Sequence, residues 1–158
     1  MLLSEVFMPQ FIKLNLESDE KPEVFEELVD HFCQAAKLNV RDPVLAALKE
    51  REAKMSTGIR NGIAIPHGKC DAVDKMYGVL GVSTKGIEYD SLDGDPVHLV
   101  LMIIAPPVEA ERHLHLLQRM ASVLRSPDFY TEVIAASSPE AVFNIIKKYE
   151  DDSSFEEL

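Results

Sequence analysis

The sequence contains little cysteine and no long apolar run. Cys33 and Cys70 are the only cysteines among 158 residues, and they form no CxxC pair. Two isolated thiols argue against a disulfide framework and a thiolate zinc site, and they indicate a reducing compartment. No apolar stretch approaches the roughly 20 residues of a membrane-spanning helix, and the N terminus lacks the basic flank and apolar stretch of a signal peptide. We therefore expect a cytoplasmic protein without membrane insertion.

Positive charge is also scarce. The chain has 16 Lys and Arg against 27 Asp and Glu, which gives a formal net charge of −11. Such a charge repels the phosphate backbone of nucleic acids and anionic membrane surfaces, so neither is an expected partner. It favours solubility and attraction to a basic protein partner.

Repeats, low-complexity tracts and Pro/Gly/Ser linkers are absent as well, so nothing in the sequence divides the chain. A composition that is 46% hydrophobic and 27% charged is typical of a globular protein. The length of 158 residues suffices for one ordinary domain. We place that domain at residues 1–150 and expect residues 151–158, which continue an acidic stretch, to form a frayed tail.

Four segments have the pattern of amphipathic helices. In the first, residues 22–37, apolar side chains recur on one helical stripe with Glu and Asp between them. The second starts at Asp42-Pro43, an expected N-cap followed by proline at the first helical position, and continues to about Met55. The other two are residues 109–125 and residues 138–149, the latter opening with Ser138 as a cap signal.

Three shorter apolar segments predict β-strands. Residues 63–65 stop at Pro66, and residues 77–82 and 97–105 follow. The last segment is apolar almost throughout, which suits a central strand covered on both faces, although a buried helix gives the same pattern. Helices that alternate with short strands predict one α/β domain, with a mixed β-sheet flanked by helices on both faces.

His67 is the side chain most suggestive of chemistry. It follows the first short strand and stands between Pro66 and Gly68 in the sequence IPHG. Proline fixes the backbone before the histidine and glycine permits turns closed to other residues, so the imidazole is expected at a strand end. Neutral imidazole is a nucleophile near neutral pH, and Gly68 would let backbone N–H groups approach an oxyanion. The alternative is a polar residue in a proline–glycine turn.

The segment around His67 resembles a known active site. Residues 63–69, with the preceding Ser56-Thr57-Gly58, resemble the active-site segment of the fructose/mannitol class of enzyme IIA domains of the bacterial phosphotransferase system. Within that class the segment resembles above all the stand-alone nitrogen-regulatory branch. The likeness covers most of the chain and includes the Arg51-Glu52 pair and the segment His113-Leu114-His115-Leu116-Leu117. The IPHG sequence alone is a weak signal, whereas the ordered set at these separations is specific.

This resemblance implies a role for four residues. His67 would accept a phosphoryl group, through Nε2, from the phosphohistidine of HPr, the small upstream carrier. His113 matches a second histidine near the phosphorylated one, and Arg51 matches an arginine that binds the phosphoryl group or the partner. Asn61 falls where relatives carry a polar or acidic residue near the site. Transfer from one histidine to another needs positioning more than Lewis acidity, so we expect no metal and no organic cofactor.

Helical periodicity separates His113 from its neighbour His115. At about 100° per residue, His113 clusters with Leu117, Met120 and Leu124, whereas His115 shares a face with polar residues. His113 is therefore expected on the core-facing stripe, near a helix N-terminus that favours phosphate. The alternative for His113 is a core histidine satisfied by one hydrogen bond. A zinc clip of both histidines is disfavoured, because side chains at i and i+2 of a helix diverge.

Three functions are compatible with these residues. The first is a regulatory phosphocarrier whose phosphorylation changes which target protein it binds. The second is a sugar-uptake component that passes phosphate from His67 to a IIB domain. The sequence has no appended IIB, membrane or HPr-like domain, which favours the regulatory function. In the third, the protein is a binding module and His67 never carries phosphate.

Overall fold

A six-stranded mixed β-sheet lies at the centre of the computed structural model, which describes residues 2–153. The strands are β1 Ile12–Lys13, β2 Gly58–Arg60, β3 Ile63–Ala64, β4 His67–Lys69, β5 Tyr77–Ile87 and β6 Val97–Ala105. Five of them follow the order β1-β5-β6-β3-β2, and β4 also pairs with β6.

Strand β6 organises the sheet because it pairs with three other strands. It is antiparallel to β5 over most of its length and parallel to both β3 and β4. Ile63 of β3 lies opposite Leu99, and His67 of β4 lies opposite Ile103. Between the two short strands, the Pro66 carbonyl accepts a hydrogen bond from Ile103 N–H at 3.0 Å. Strand β4 therefore continues β3 along the same edge of β6 and brings His67 to the C-terminal part of that strand.

Helices cover both faces of this sheet. Within residues 2–153 they are α1 Leu3–Val6, α2 Lys21–Ala36, α3 Arg41–Lys54, α4 Ala110–Leu124, α5 Pro127–Ala135 and α6 Pro139–Ser153. The buried side chains of α2 and α3 pack on one face, and those of α1, α4, α5 and α6 pack on the other. No helix in the described part of the chain is both long and apolar enough to span a membrane.

Alternate residues of β6 belong to two separate cores. Val100, Met102 and Ile104 pack with α2 and α3. Leu99, Leu101 and Ile103 pack with the helices of the opposite face. Because successive side chains of a strand point to opposite faces, a strand covered on both sides is apolar throughout. The continuous apolar run is thus a central strand, and the predicted α/β class with helices on both faces is confirmed.

The four predicted helices are present as α2, α3, α4 and α6. The predicted start of α3 was wrong, because the helix begins at Arg41 after Val40 and no side chain caps it. The cap at Ser138 is confirmed, since its Oγ accepts a hydrogen bond from Ala141 N–H at 3.1 Å. Helices α1 and α5 were not predicted.

The C-terminal acidic stretch is partly helical. The predicted tail comprises residues 151–158. Helix α6 continues to Ser153 and therefore includes the first three residues of that tail. Residues 154–158 of that tail lie outside the described part of the chain. Glu150 is only 2% exposed, and its carboxylate accepts a hydrogen bond from the backbone N–H of Leu3. This carboxylate joins the end of α6 to the start of α1.

Gly68 allows β4 to lie unusually close to α3. A Cβ atom on Gly68 would be 2.9 Å from the backbone carbonyl carbon of Ala47, which is shorter than any normal contact. Gly68 is a strand residue and does not have a positive φ, so the turn expected at this position was wrong. The requirement for glycine comes from packing against the α3 backbone. Because Gly68 lies against Ala47, Arg51, which follows one helical turn later in α3, is close enough for its charge to act on His67.

Candidate functional site

His67 opens β4 with its ring held by the preceding residues. Its Nδ1 lies 2.9 Å from the carbonyl oxygen of Ile65. A carbonyl oxygen only accepts hydrogen bonds, so Nδ1 carries the hydrogen and Nε2 keeps its lone pair. The ring is half-buried, and it shares its face of the sheet with Ile103, on the side covered by α4. His67 therefore presents a nucleophilic nitrogen from a fixed position.

Its surroundings favour the neutral form of this imidazole. Desolvation by burial is the main cause that lowers the pKa of His67, and the positive charges of Arg51 and Lys69 act in the same direction. The Ile65 carbonyl and the Glu52 carboxylate oppose this change, but the pKa stays below its ordinary value of 6.5. At neutral pH the Nε2 lone pair is thus available.

His113 lies in the first turn of α4, beside His67. The two ring centroids are 5.4 Å apart, and the rings meet edge to face at 81°. His113 is 3% exposed, and among the described residues its Nε2 has no hydrogen-bond partner. Burial, followed by the charges of His67 and Lys69, lowers the pKa of His113 to about 4. The predicted faces of α4 are confirmed, because His113 is buried and His115 is exposed.

Two cationic side chains lie near this pair of histidines. Arg51 lies in the last turn of α3, where its Nη1 donates a hydrogen bond to the Met55 carbonyl at 2.8 Å. Lys69 is exposed and lies two residues after His67, so both side chains point to the same face of β4. The charge of Lys69 acts on both histidines, and that of Arg51 acts on His67. Together these groups suit a tetrahedral oxyanion next to His67 Nε2.

The structure does not bring Asn61 to this group. Asn61 lies in the turn between β2 and β3, has a positive φ of 56°, and donates its backbone N–H to Asp93 Oδ2 at 3.1 Å. The pairing of β3 and β4 with β6 separates that end of β3 from His67 by four residues of strand, or about 13 Å. Asn61 instead lines a groove of about 660 Å³ between the β2–β3 hairpin, α4 and α5.

Lys69 and Glu52 were not predicted as members of the site. The alternation of side chains along β4 is a signal that could have indicated Lys69, because it repeats the face of His67. Glu52 appeared in the sequence only as part of the Arg51-Glu52 pair of the family resemblance, and its influence on His67 depends on contacts that side-chain alternation along one strand does not indicate. Among residues 2–153, no three His, Cys, Asp or Glu side chains are grouped so that they could hold a metal ion.

Comparison with known families decides the family of the chain. The family model described as "Phosphoenolpyruvate-dependent sugar phosphotransferase system, EIIA 2" matches residues 5–149. The chain belongs to this family. The resemblance to enzyme IIA domains is thereby confirmed, and a phosphocarrier role in the phosphotransferase system holds at the level of the family.

The proteins similar to this chain include both fructose-specific components and nitrogen regulatory proteins. A fructose-specific EIIABC component of Bacillus subtilis is 39% identical over 95% of this chain, which spans 24% of that relative's length. A fructose-specific EIIA component of Haloferax volcanii is 33% identical over 91% of this chain and 94% of its own length. The crystal structure of nitrogen regulatory protein IIA-Ntr from Neisseria meningitidis has a TM-score of 0.83 and 28% identity, covering 91% of this chain and 98% of that one.

The buried histidine of this EIIA 2 protein predicts a loss of stability in acid. The folded pKa of His113 is about 4, against 6.5 in an unfolded chain. Between these values the unfolded state binds more protons, so the free energy of unfolding decreases as pH falls from about 6.5 to 4. The loss from His113 should be about 3 kcal/mol, and His67 should add a loss of the same sign. Urea unfolding across this pH range measures it.

The matched comparison uses His113→Gln and His115→Gln. The His113→Gln protein should lose stability less steeply on acidification than the wild type, because the titrating group is gone. The His115→Gln protein changes an exposed residue of the same helix and should follow the wild type. Equal slopes for all three proteins would contradict the low pKa of His113.

Proposed function

We propose that this protein is a phosphocarrier that accepts a phosphoryl group on His67 Nε2 from an HPr-type phosphohistidine, and that it acts in a regulatory branch of the phosphotransferase system. The main support is the hydrogen bond between His67 Nδ1 and the Ile65 carbonyl, because it leaves the lone pair on Nε2. The location proposed for this exchange is the cytoplasm. Downstream, the phosphorylated and unphosphorylated forms would bind a regulatory target protein differently.

The proposed transfer is a displacement at phosphorus. The Nε2 lone pair of His67 attacks the phosphorus of the donor phosphohistidine. The N–P bond to His67 forms while the donor's N–P bond breaks, and the electron pair of the broken bond returns to the donor imidazole. The ring of His67 keeps its Nδ1 hydrogen and gains the positive charge that the donor ring loses, so no net proton transfer is needed. Alignment of the two rings is the principal requirement.

We assign His113 an assisting role in which it never carries phosphate. Its ring lies edge to face with that of His67, and its Nε2 has no partner among the described residues. Its low pKa keeps the ring neutral at physiological pH, so one ring nitrogen is a hydrogen-bond donor and the other an acceptor. An Nε2–H group at this place would donate to an oxygen of the phosphoryl group on His67.

Arg51 and Lys69 are proposed to balance the charge of the bound phosphoryl group. The guanidinium of Arg51 has five N–H donors, of which an Nη1 hydrogen is directed to the Met55 carbonyl. Its charge and that of Lys69 are close enough to lower the pKa of His67. The same positive charges that disfavour a protonated His67 would stabilise a dianionic phosphoryl group on it.

The direct test of this function is the His67→Ala variant. It should fold normally but gain no phosphoryl group, because the nucleophilic nitrogen is lost. The donor carrier is phosphorylated in advance with phosphoenolpyruvate and enzyme I, then separated from them, so that only the final transfer is observed. Intact mass and site mapping detect the product. Phosphorylation of the variant to the wild-type extent would refute His67 as the acceptor.

Single-turnover phosphorylation should distinguish the two histidines of α4. We expect His113→Ala to be slower by about 10² to 10³-fold, the usual effect of removing a donor aimed at developing negative charge. His113→Gln should retain part of the rate, because its amide can still donate. His115→Ala is the control on the exposed face and should react like the wild type. Equal rates for the three variants would remove His113 from the mechanism.

A sugar-uptake function is the second candidate, and the identity to fructose-specific components favours it. In that case phosphorylated His67 should transfer its phosphoryl group rapidly to a purified fructose-type IIB domain. A regulatory carrier should transfer it slowly or not at all. Quenched-flow measurement of phosphoryl loss from this protein, with buffer in place of the IIB domain as the control, separates the two functions.

A further inference from the structure

A buried carboxylate lies beneath the loop that connects α3 to β2. It belongs to Glu52, whose side chain is 7% exposed. Its two oxygens accept hydrogen bonds from the backbone N–H of Thr57 at 2.7 Å and from Thr57 Oγ1 at 2.6 Å. Lys21 Nζ contributes an ion pair at 3.1 Å. Glu52 thus holds both hydrogen-bond donors of Thr57, its N–H and its hydroxyl, in one orientation.

The residues around this carboxylate make the arrangement rigid. Tyr89 is 1% exposed, and its hydroxyl lies 2.8 Å from Thr57 Oγ1. Lys21 Nζ lies 4.6 Å from the centre of the Tyr89 ring. A buried carboxylate with several hydrogen bonds has few alternative geometries, because any movement leaves a charged oxygen without a donor. Thr57 therefore has a defined position relative to α3.

From Thr57, hydrogen bonds continue to the ring of His67. The carbonyl of Thr57 accepts the N–H of Ile65 at 3.0 Å. The carbonyl of Ile65, in turn, accepts Nδ1–H of His67 at 2.9 Å. Three successive hydrogen-bonded links therefore join Glu52 to the histidine: carboxylate to Thr57, Thr57 to Ile65, and Ile65 to the imidazole.

We propose that Glu52 is a positioning residue which, through Thr57 and Ile65, holds the His67 ring in its Nδ1–H tautomer and so directs Nε2 toward the phosphoryl donor. This role rests on the proposed function of His67 as the acceptor. Glu52 does not touch the ring itself. Its effect depends on where it places the Ile65 carbonyl, since that oxygen is the partner that selects the tautomer.

The test compares variants that break the links with variants that keep them. Glu52→Ala removes the carboxylate, and Thr57→Val removes only the hydroxyl with little change of shape. Thr57→Ser restores the hydroxyl and is the rescue variant. Glu50→Ala is the matched control, since Glu50 is an exposed residue of the same helix. Nitrogen NMR shifts of the unphosphorylated proteins report the tautomer of His67, urea unfolding reports stability, and single-turnover assays report transfer.

We expect Glu52→Ala and Thr57→Val to raise the Nε2–H fraction of His67 and to slow transfer by about 10 to 100-fold, as small misplacements of a reacting group do. Thr57→Ser and Glu50→Ala should match the wild type in both readouts. Should Glu52→Ala fail to fold, the Thr57→Val and Thr57→Ser pair decides alone.

A structural role alone would lower stability in urea and leave the tautomer unchanged, and that result would overturn the positioning role. A changed tautomer with an unchanged transfer rate would overturn it too. The tautomer is measured without phosphate, so it is independent of the function proposed for His67. A shifted tautomer in the variants, combined with a wild-type protein that accepts no phosphoryl group, would instead show that the proposed function is wrong.

Discussion

The hydrogen bond from His67 Nδ1 to the carbonyl of Ile65 is the contact on which the proposed chemistry depends. It determines which ring nitrogen has a lone pair and in which direction that lone pair points. The bond is local, between residues two apart, but its geometry depends on distant parts of the fold. Strand β4 pairs with β6, and Gly68 packs against the backbone of α3, so the backbone that follows the Ile65 carbonyl and bears the His67 ring has long-range contacts on both sides.

Burial and positive charge act on the two histidines in the same direction. Both lower the pKa of His67 and of His113, so two neutral rings lie side by side where a charged pair would repel. Neutral rings can serve as nucleophile and as hydrogen-bond donor, which protonated rings facing each other could not do. The same low pKa values reduce the free energy of unfolding at acid pH. Beside the two neutral rings, the positive charges of Arg51 and Lys69 would favour a negatively charged group, as the proposed function requires.

Sequence patterns were sufficient for features that depend on local periodicity or backbone chemistry. The continuous apolar run of β6 and the stripe that places His113 inward are examples, because burial on a given face leaves a periodic signal. Sequence patterns were insufficient where contacts between distant segments determine which residues lie close together. The need for glycine at position 68 comes from the α3 backbone, and the distance of Asn61 from His67 comes from the register of β6. Neither leaves a signal in one sequence.

In the proposed function, His67 reacts through Nε2 because Nδ1 is held by the Ile65 carbonyl. Heteronuclear NMR of the phosphorylated, nitrogen-labelled protein tests it most directly, because coupling between phosphorus and nitrogen identifies the bonded atom. We expect coupling to Nε2 of His67, with the hydrogen retained on Nδ1. Phosphorus bound to Nδ1 of His67, or to His113, would contradict it.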